Sequence, residues 1–128
     1  MSDATRSPPT FVYDDDCGFC TWWAETFDRR TDLRVVGYTD LGPALRARLP
    51  DDYRDCSHLV TDDAVYSCGA SVERALLRTE AGSHARPVAD RLDRLGAYRT
   101  ARERGYRWVA DRRSLWGELL SQTPPARR

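Results

Sequence analysis

The segment Phe11–Cys20, FVYDDDCGFC, most constrains what this chain can fold into. Its first three residues are apolar without strict alternation, as is typical of a central strand buried on both faces. An acidic turn follows, and a Cys-x-x-C pair then opens a segment of helical spacing. Two thiols three residues apart at a helix start suit either two-electron thiol chemistry or half of a metal site. Cys17 and Cys20 are therefore the first candidates for a functional site.

The order of the segments that follow predicts an α/β fold. Gly18–Arg30 has apolar residues near helical spacing, and Leu33–Tyr38 is a second β-rich segment. His58–Thr61 and Ala64–Ser67 flank Asp62-Asp63, which predicts an antiparallel hairpin. Because a right-handed β-α-β unit makes its two strands parallel, we expect a four-stranded mixed sheet. This is a thioredoxin-like β-α-β-α-β-β-α arrangement with additional C-terminal helices.

The remaining segments are mostly helical in pattern. Thr39 or Asp40 is expected to cap a short helix over Pro43–Leu49, and Ser71 to cap a helix that ends near Thr79. Further along, the pattern predicts a loop over 81–83, helices over 87–95 and 98–113 with Gly105 as a candidate break, and a last structured segment over 115–120.

The length and composition predict one compact domain. A chain of 128 residues with 41% hydrophobic content can close one core of ordinary size, and a second domain would leave both halves marginal. We expect a single domain over residues 10–121 with a helical extension from about residue 87. Residues 1–9 are predicted to be a disordered lead, and residues 122–128 a disordered tail.

Charge and targeting signals exclude several classes of function. The formal net charge is zero, so the total favours neither nucleic acid nor a membrane surface as a partner. The arginines between residues 99 and 113 are expected to form a solvated helix face. All twenty basic residues are arginine, which excludes Schiff-base chemistry and a lysine base. The first residues have no apolar leader region and no run is long enough to span a membrane, so a cytoplasmic protein is expected.

The residues around the cysteine pair resemble a known family. Asp14, Asp16, Cys17 and Cys20 match the Asp-Gly-x-Cys-x-x-Cys signature that follows a strand in the DCC-type thiol–disulfide oxidoreductases. Asp15 stands where that family usually has glycine, and aspartate is among the residues that tolerate a left-handed backbone best.

Two further stretches extend the resemblance over most of the chain. Gly69-Ala70-Ser71 resembles the glycine-led helix entry after the family's hairpin, and the segment 106–113 with Gly117 resembles its C-terminal Tyr-x-x-Val-Ala-x-x-Arg motif. The resemblance implies a thioredoxin-like fold and thiol–disulfide exchange. Thioredoxin-fold proteins typically carry a cis-proline before the third strand, where this chain has Asp55-Cys56-Ser57. The chain has no Gly-rich phosphate loop, and no cofactor is expected.

Thiol–disulfide exchange assigns a role to each cysteine of the pair. Cys17, at the helix start, is the expected nucleophile because free N–H groups and the helix dipole favour a thiolate there, and Cys20 is the resolving thiol. The neighbouring aspartates act in the opposite direction on the Cys17 pKa, so the net shift is left open. Asp14, at the strand end, is a candidate to take the proton from Cys20. A protein or small-molecule disulfide and a cellular thiol reductant are the expected partners.

The other two cysteines are predicted to lie at the same end of the sheet. The third strand begins there and the fourth returns there, and a two-residue turn at 62–63 would place Cys68 opposite Ser57, next to Cys56. Three interpretations stay open, namely structural thiols, an auxiliary dithiol that relays electrons, or a metal site that includes His58. His58 itself is expected to be a packed residue. The auxiliary candidates are Asp16, Cys56, Ser57, Cys68 and Gly69.

Two classes of function follow from these observations. The first is an enzyme that cycles Cys17 and Cys20 against disulfides. The second is a zinc-stabilised or structural module with a thioredoxin-like core that binds a partner without catalysis.

Overall fold

The computed structural model describes residues 8–119. Its four strands are short and form one sheet. They are β1 (Thr10–Tyr13), β2 (Arg34–Gly37), β3 (His58–Val60) and β4 (Val65–Ser67).

Seven helices surround the sheet in the described residues. In chain order they are α1 (Gly18–Arg30), α2 (Pro43–Arg48), α3 (Gly69–Leu76), α4 (Glu80–Ser83), α5 (Arg86–Leu92), α6 (Gly96–Ala110) and α7 (Arg113–Leu119). Two short 3-10 turns lie at Tyr38–Asp40 and Tyr53–Asp55.

The sheet confirms the predicted fold class. The strand order is β2-β1-β3-β4, with β1 parallel to β2, antiparallel to β3, and β3 antiparallel to β4. These directions are those expected from a β-α-β unit followed by a hairpin, and the arrangement is consistent with a thioredoxin-like sheet. β1 is therefore an inner strand, and the dithiol segment begins at its carboxyl end.

Strand β1 is buried on both faces, as its apolar sequence predicts. Phe11 and Tyr13 belong to a core cluster on one face that includes Phe27 of α1. Val12 points to the opposite face, where it packs with Tyr38 and other side chains. The alternation of a strand thus distributes three consecutive apolar residues over two cores. Because both faces are covered, the end of β1 is a fixed platform for the turn that follows.

Helix α1 has the bounds that its sequence pattern predicts. Cys17 is its N-cap residue, and Arg29 and Arg30 lie in its last turn, where positive charge is favourable to the helix dipole. Ala24 and Phe27 are fully buried against the sheet. Phe11 and Phe27 stack edge to face with ring centroids 5.0 Å apart. This packing fixes α1, and with it the position of Cys17.

The N-cap residues predicted for α2 and α3 are wrong. The N-cap residue of α2 is Gly42, while Asp40 lies in the preceding 3-10 turn. The N-cap residue of α3 is Cys68, and Ser71 lies inside the helix, fully buried. Neither Gly42 nor Cys68 forms a capping hydrogen bond with its side chain. Prediction of N-caps from sequence looks for a side-chain oxygen that accepts such a bond, and so it selects the wrong residue at both helices.

Two other predictions about the C-terminal half are also wrong. Residues 81–83 are not a loop, because Thr79 accepts a hydrogen bond from the Gly82 N–H (2.9 Å) and starts α4. Gly105 does not break α6, which runs without interruption from Gly96 to Ala110. A single glycine lowers helix propensity by only about 1 kcal/mol, which tertiary contacts overcome.

Ion pairs of Arg102 join helix α6 to helix α3 and to Asp93. Arg102 of α6 contacts Glu73 of α3 (3.2 Å) and Asp93 (2.8 Å) with a side chain that is 14% exposed. The Tyr98 hydroxyl also donates to Glu73, and this hydrogen bond raises the pKa of Tyr98.

The single-domain assignment over 10–121 stays a prediction, and most of the expected lead (1–9) and the whole tail (122–128) lie outside the described residues.

None of the helices in residues 8–119 combines the length and the apolar character that crossing a membrane requires.

Candidate active site

The turn between β1 and α1 holds the dithiol segment in place. The Asp14 carbonyl accepts the Cys17 N–H (3.3 Å), and the Asp14 carboxylate accepts the Asp16 N–H (3.0 Å). The Cys20 N–H in turn donates to the Cys17 Sγ (3.3 Å). Cys17 and Cys20 are both half-buried thiols. The leading sulfur therefore lies against the open N–H groups of a 13-residue helix.

Asp15 has a role that differs from the expected one. It is 2% exposed, and its carboxylate accepts hydrogen bonds from the N–H (3.3 Å) and hydroxyl of Thr39. Its backbone does not adopt the left-handed conformation, since Cys68 is the only non-glycine residue with positive φ in the described chain. Where the family usually has glycine, this chain instead buries a carboxylate between β1 and the 3-10 turn. Of the three aspartates, Asp14 lines the cavity that Cys20 also lines, whereas Asp15 is buried in its contact with Thr39.

Cys56 and Cys68 form a disulfide, with a Cα–Cα distance of 5.0 Å. The β3–β4 register pairs His58 with Ser67, and the Cys68 N–H donates to the Ser57 carbonyl (2.9 Å). This confirms the predicted placement of Cys68 opposite Ser57. Of the three interpretations, structural thiols are wrong, and the bond leaves neither sulfur available as a metal-ligating thiolate. The structure thus shows a Cys56–Cys68 disulfide, and an auxiliary redox role for this pair stays a prediction.

Cys68 holds the backbone in an unusual conformation. Its φ is 58° and its ψ is −127°, a region in which glycine is far more common than other residues. The next residue, Gly69, begins α3 and donates its N–H to the Glu103 carboxylate of α6 (2.9 Å). A Cβ atom at position 69 would lie 3.0 Å from that carboxylate. A side chain distant in sequence thus caps the helix that Cys68 starts.

A short chain of hydroxyl groups links the two strands that carry the second pair. The Ser71 hydroxyl donates to the Cys68 carbonyl (2.6 Å), so the Ser57 hydroxyl is the donor in its 2.7 Å hydrogen bond to Ser71. The Ser57 N–H donates to the Tyr106 hydroxyl (3.3 Å). Tyr38 donates its hydroxyl to the Cys56 carbonyl. The backbone on both sides of the disulfide is therefore fixed by buried or half-buried polar groups.

The two cysteine pairs meet at one cavity of about 680 Å³. Cys20 and Cys56 both line it, together with Asp14, Ser57 and Gly69. Its other walls are mainly apolar side chains of α1, α3, α5 and α6. The structure therefore brings the resolving thiol of the first pair and one sulfur of the second pair to a common space.

The predicted site residues separate into two groups. Asp14, Cys20, Cys56, Ser57 and Gly69 line the shared cavity. Cys17 lies at the helix start beside them, Cys68 is bonded to Cys56, and Asp16 is exposed in the turn. Sequence reasoning missed Tyr38, Ser71 and Glu103, which fix the backbone around the second pair. The sequence pattern indicates Ser71 only as a helix cap and Tyr106 only as part of a motif, and neither hydrogen bond follows from those patterns.

Arg54 and Tyr53 shift each other's pKa through a hydrogen bond. Arg54 donates to the Tyr53 hydroxyl (3.2 Å), which raises the pKa of Arg54, and the negative charge of Asp14 acts in the same direction. The same contact with Arg54 lowers the pKa of Tyr53.

His58 is packed, as expected, and its environment favours the neutral ring. It is 1% exposed; Nε2 lies 2.7 Å from the Tyr53 carbonyl and Nδ1 lies 2.8 Å from the Ser67 hydroxyl. Because a carbonyl can only accept, Nε2 carries the proton and Nδ1 accepts from Ser67. Burial lowers the pKa of His58, although the Tyr53 carbonyl and the charge of Asp52 act against that shift. Both ring nitrogens are engaged within the fold.

The described residues do not support the metal alternative. Across residues 8–119, no group of three or more His, Cys, Asp or Glu side chains is placed to hold a metal ion.

Comparison with known proteins places the chain in a family. A family model described as DCC1-like thiol-disulfide oxidoreductase matches residues 11–119. The chain belongs to this family. The match covers the sheet except Thr10, both cysteine pairs and helices α1 to α7, in agreement with the resemblance found in the sequence. No match was found among curated proteins or among solved structures. As a DCC1-like protein the chain is a member of a thiol–disulfide oxidoreductase family, and its geometry can be interpreted in those terms.

Proposed function

We propose that this DCC1-like protein reduces or exchanges disulfides with Cys17 as the nucleophile and Cys20 as the resolving thiol. The observation that carries the proposal is the position of Cys17 as the N-cap of α1, with its Sγ accepting the Cys20 N–H. A helix N-terminus stabilises negative charge on such a sulfur. The half-buried state of both residues leaves the pair in reach of a substrate.

The reaction proceeds in two exchange steps. The Cys17 thiolate attacks one sulfur of the substrate disulfide, forms a mixed disulfide and releases the first substrate thiolate. The Cys20 thiolate then attacks the Cys17 Sγ, and the second substrate thiolate leaves. The protein ends with a Cys17–Cys20 disulfide and the substrate with two thiols.

Asp14 is proposed to accept the proton of Cys20 in the second step. Its carboxylate is half-buried at the end of β1 and lines the same cavity as Cys20. A carboxylate on that cavity wall can take a proton directly or through one water molecule. The proposal has a protein or small-molecule disulfide as substrate and a cytoplasmic thiol reductant that resets the pair.

The test compares single cysteine variants in dithiothreitol-dependent reduction of a disulfide. We expect Cys17→Ser to fall to the uncatalysed rate, since it has lost the attacking sulfur. We expect Cys20→Ser, the matched variant one turn further along α1, to accumulate a mixed disulfide with the substrate that mass spectrometry detects on Cys17. Equal rates for the wild type and Cys17→Ser would overturn the proposal and leave a non-catalytic binding module.

A further inference from the structure

We propose that the Cys56–Cys68 pair is a second redox centre that exchanges electrons with Cys17–Cys20 inside the molecule, through a Cys20–Cys56 mixed disulfide. This inference rests on the proposed function, because it supplies the electrons that the first pair consumes. It assigns Cys56 and Cys68 a catalytic role in place of a purely structural one.

The first support is that both pairs adjoin one space. Cys20 and Cys56 line the same cavity. The β1–β3 register pairs Phe11 with Leu59 and Val12 with His58, and its continuation sets Asp14 opposite Cys56. The turn that begins at Asp14 carries the dithiol, so Cys56 lies beside the segment that positions Cys17 and Cys20.

The second support is the asymmetry within each pair. Cys56 is 9% exposed and lines the cavity, whereas Cys68 is half-buried at the start of α3. Cys20 lines the cavity, and Cys17 lies at the start of α1. Each pair therefore has one cysteine on the shared cavity and one at a helix start. At the start of α1 the Cys17 thiolate, which leaves in the first step of the relay, is stabilised.

The third support is the conformation of Cys68. Its positive φ of 58° is unfavourable for a residue with a Cβ atom, and glycine would avoid that cost. Such strained backbone positions occur often at functional sites. Here the strained residue is a cysteine of the second pair itself, and its backbone is fixed by Ser57 and Ser71.

The relay balances as two thiol–disulfide exchanges. The Cys56 thiolate attacks the Cys20 Sγ of the oxidised first pair, the Cys17–Cys20 bond breaks, and Cys17 leaves as a thiolate. The Cys68 thiolate then attacks the Cys56 Sγ, the Cys20–Cys56 bond breaks, and Cys20 leaves as a thiolate.

The net result is a transfer of two electrons from the second pair to the first. Cys56 and Cys68 give up two protons, and Cys17 and Cys20 take up two. The Cys56–Cys68 disulfide recorded in the structure is the oxidised end state of this relay. An external dithiol reductant reaches it through the half-buried Cys68 and restores both thiols.

A trapping experiment tests the cross-pair contact. The full-length double variant Cys17→Ser/Cys68→Ser retains only Cys20 and Cys56, and the matched variant Cys20→Ser/Cys68→Ser retains only Cys17 and Cys56. Each is oxidised with diamide, digested and examined by mass spectrometry without reduction. We expect the Cys20–Cys56 disulfide to form at least ten times faster than the Cys17–Cys56 disulfide. Equal rates, or neither disulfide in variants with native circular dichroism, would overturn the relay.

A second measurement uses the wild-type chain and is independent of variant folding. The protein is reduced to four thiols, mixed with one equivalent of a small disulfide, quenched with an alkylating agent at increasing times and mapped by mass spectrometry. We expect the disulfide to appear first between Cys17 and Cys20 and then between Cys56 and Cys68. A disulfide that stays at Cys17–Cys20 overturns the relay alone, whereas failure of that first disulfide to form overturns the proposed function.

Discussion

Gly37 of β2 lies directly against the buried carboxylate of Asp15, so close that a Cβ atom at position 37 would be 2.2 Å from the Asp15 Oδ2. Both residues lie where β1 and β2 end side by side, since Tyr13 pairs with Gly37 in the parallel register. The missing side chain at 37 is what makes room for a carboxylate at 15. The departure from the family's glycine at position 15 is therefore matched by a glycine on the neighbouring strand.

Gly37→Ala should destabilise the protein, because its methyl group overlaps a carboxylate that cannot move away without losing its hydrogen bonds to Thr39. We expect a loss of about 1–3 kcal/mol in the free energy of unfolding, measured by urea denaturation. In an Asp15→Gly background the same alanine should cost at least about 1 kcal/mol less, because the overlapping atoms are gone. Gly105→Ala, in open space on α6, is the control and should be neutral or stabilising. Additive effects at 15 and 37 would contradict the contact.

The stability of the protein should fall as the pH drops below about 6.5, and His58 should account for a measurable part of the slope. Burial lowers the pKa of His58 in the folded state, so the unfolded chain binds a proton at a higher pH than the folded one. The neutral ring therefore contributes its full stability above the unfolded pKa, and that contribution is lost as the pH falls through the folded value.

Urea midpoints between pH 5 and pH 8 check this. His58→Gln keeps a donor for the Tyr53 carbonyl but does not titrate, so it should flatten the slope in that window. His84→Gln, at an exposed position, is the matched control for the substitution itself. The expectation is wrong if His58→Gln and the wild type lose stability in parallel.

Glycine at position 68 should relieve a backbone cost that the native cysteine bears. Removal of the disulfide in Cys56→Ala/Cys68→Ala should cost about 3 kcal/mol, as estimated for a loop of this size. Cys56→Ala/Cys68→Gly should recover about 1 kcal/mol or more of that loss, since φ at this position is 58°. Thermal and urea unfolding of the two double variants measure the difference.

Cys68 is also a helix N-cap, where glycine is preferred over alanine for a different reason. The comparison of Cys17→Gly with Cys17→Ala corrects for this, because Cys17 is an N-cap residue with a φ of −115°. The gain from glycine should be larger at 68 than at 17. Equal gains would mean that helix capping, and not the positive φ, explains the effect.

The topology and half of the site could be predicted from the sequence, because they follow from periodic patterns and local turns. The bounds of α1 follow from its apolar spacing and from the cysteine pair before it. The pairing of Ser57 with Cys68 follows from the length of the hairpin turn alone. Each of these rests on residues close in sequence, where a small set of conformations is available.

The remaining half of the site depends on contacts between distant residues, which no local rule identifies. Nothing in three consecutive aspartates indicates that the middle one is buried, because the choice is made by Gly37 and Thr39 on another strand and turn. Similarly, the helix that starts at Gly69 is capped by Glu103, 34 residues further along. The sequence pattern favoured Ser71 instead, since a hydroxyl near a helix start is the usual local signal.

Helix α6 supplies acceptors for two backbone N–H groups beside the second cysteine pair, Glu103 for Gly69 and Tyr106 for Ser57. The segment predicted as an extension of the domain therefore completes the surroundings of Cys56 and Cys68. A fragment that stops after α3 would leave both amides without these acceptors, and its redox behaviour would not represent that of the intact chain. The shortest piece suitable for electrochemical study has to continue past Tyr106.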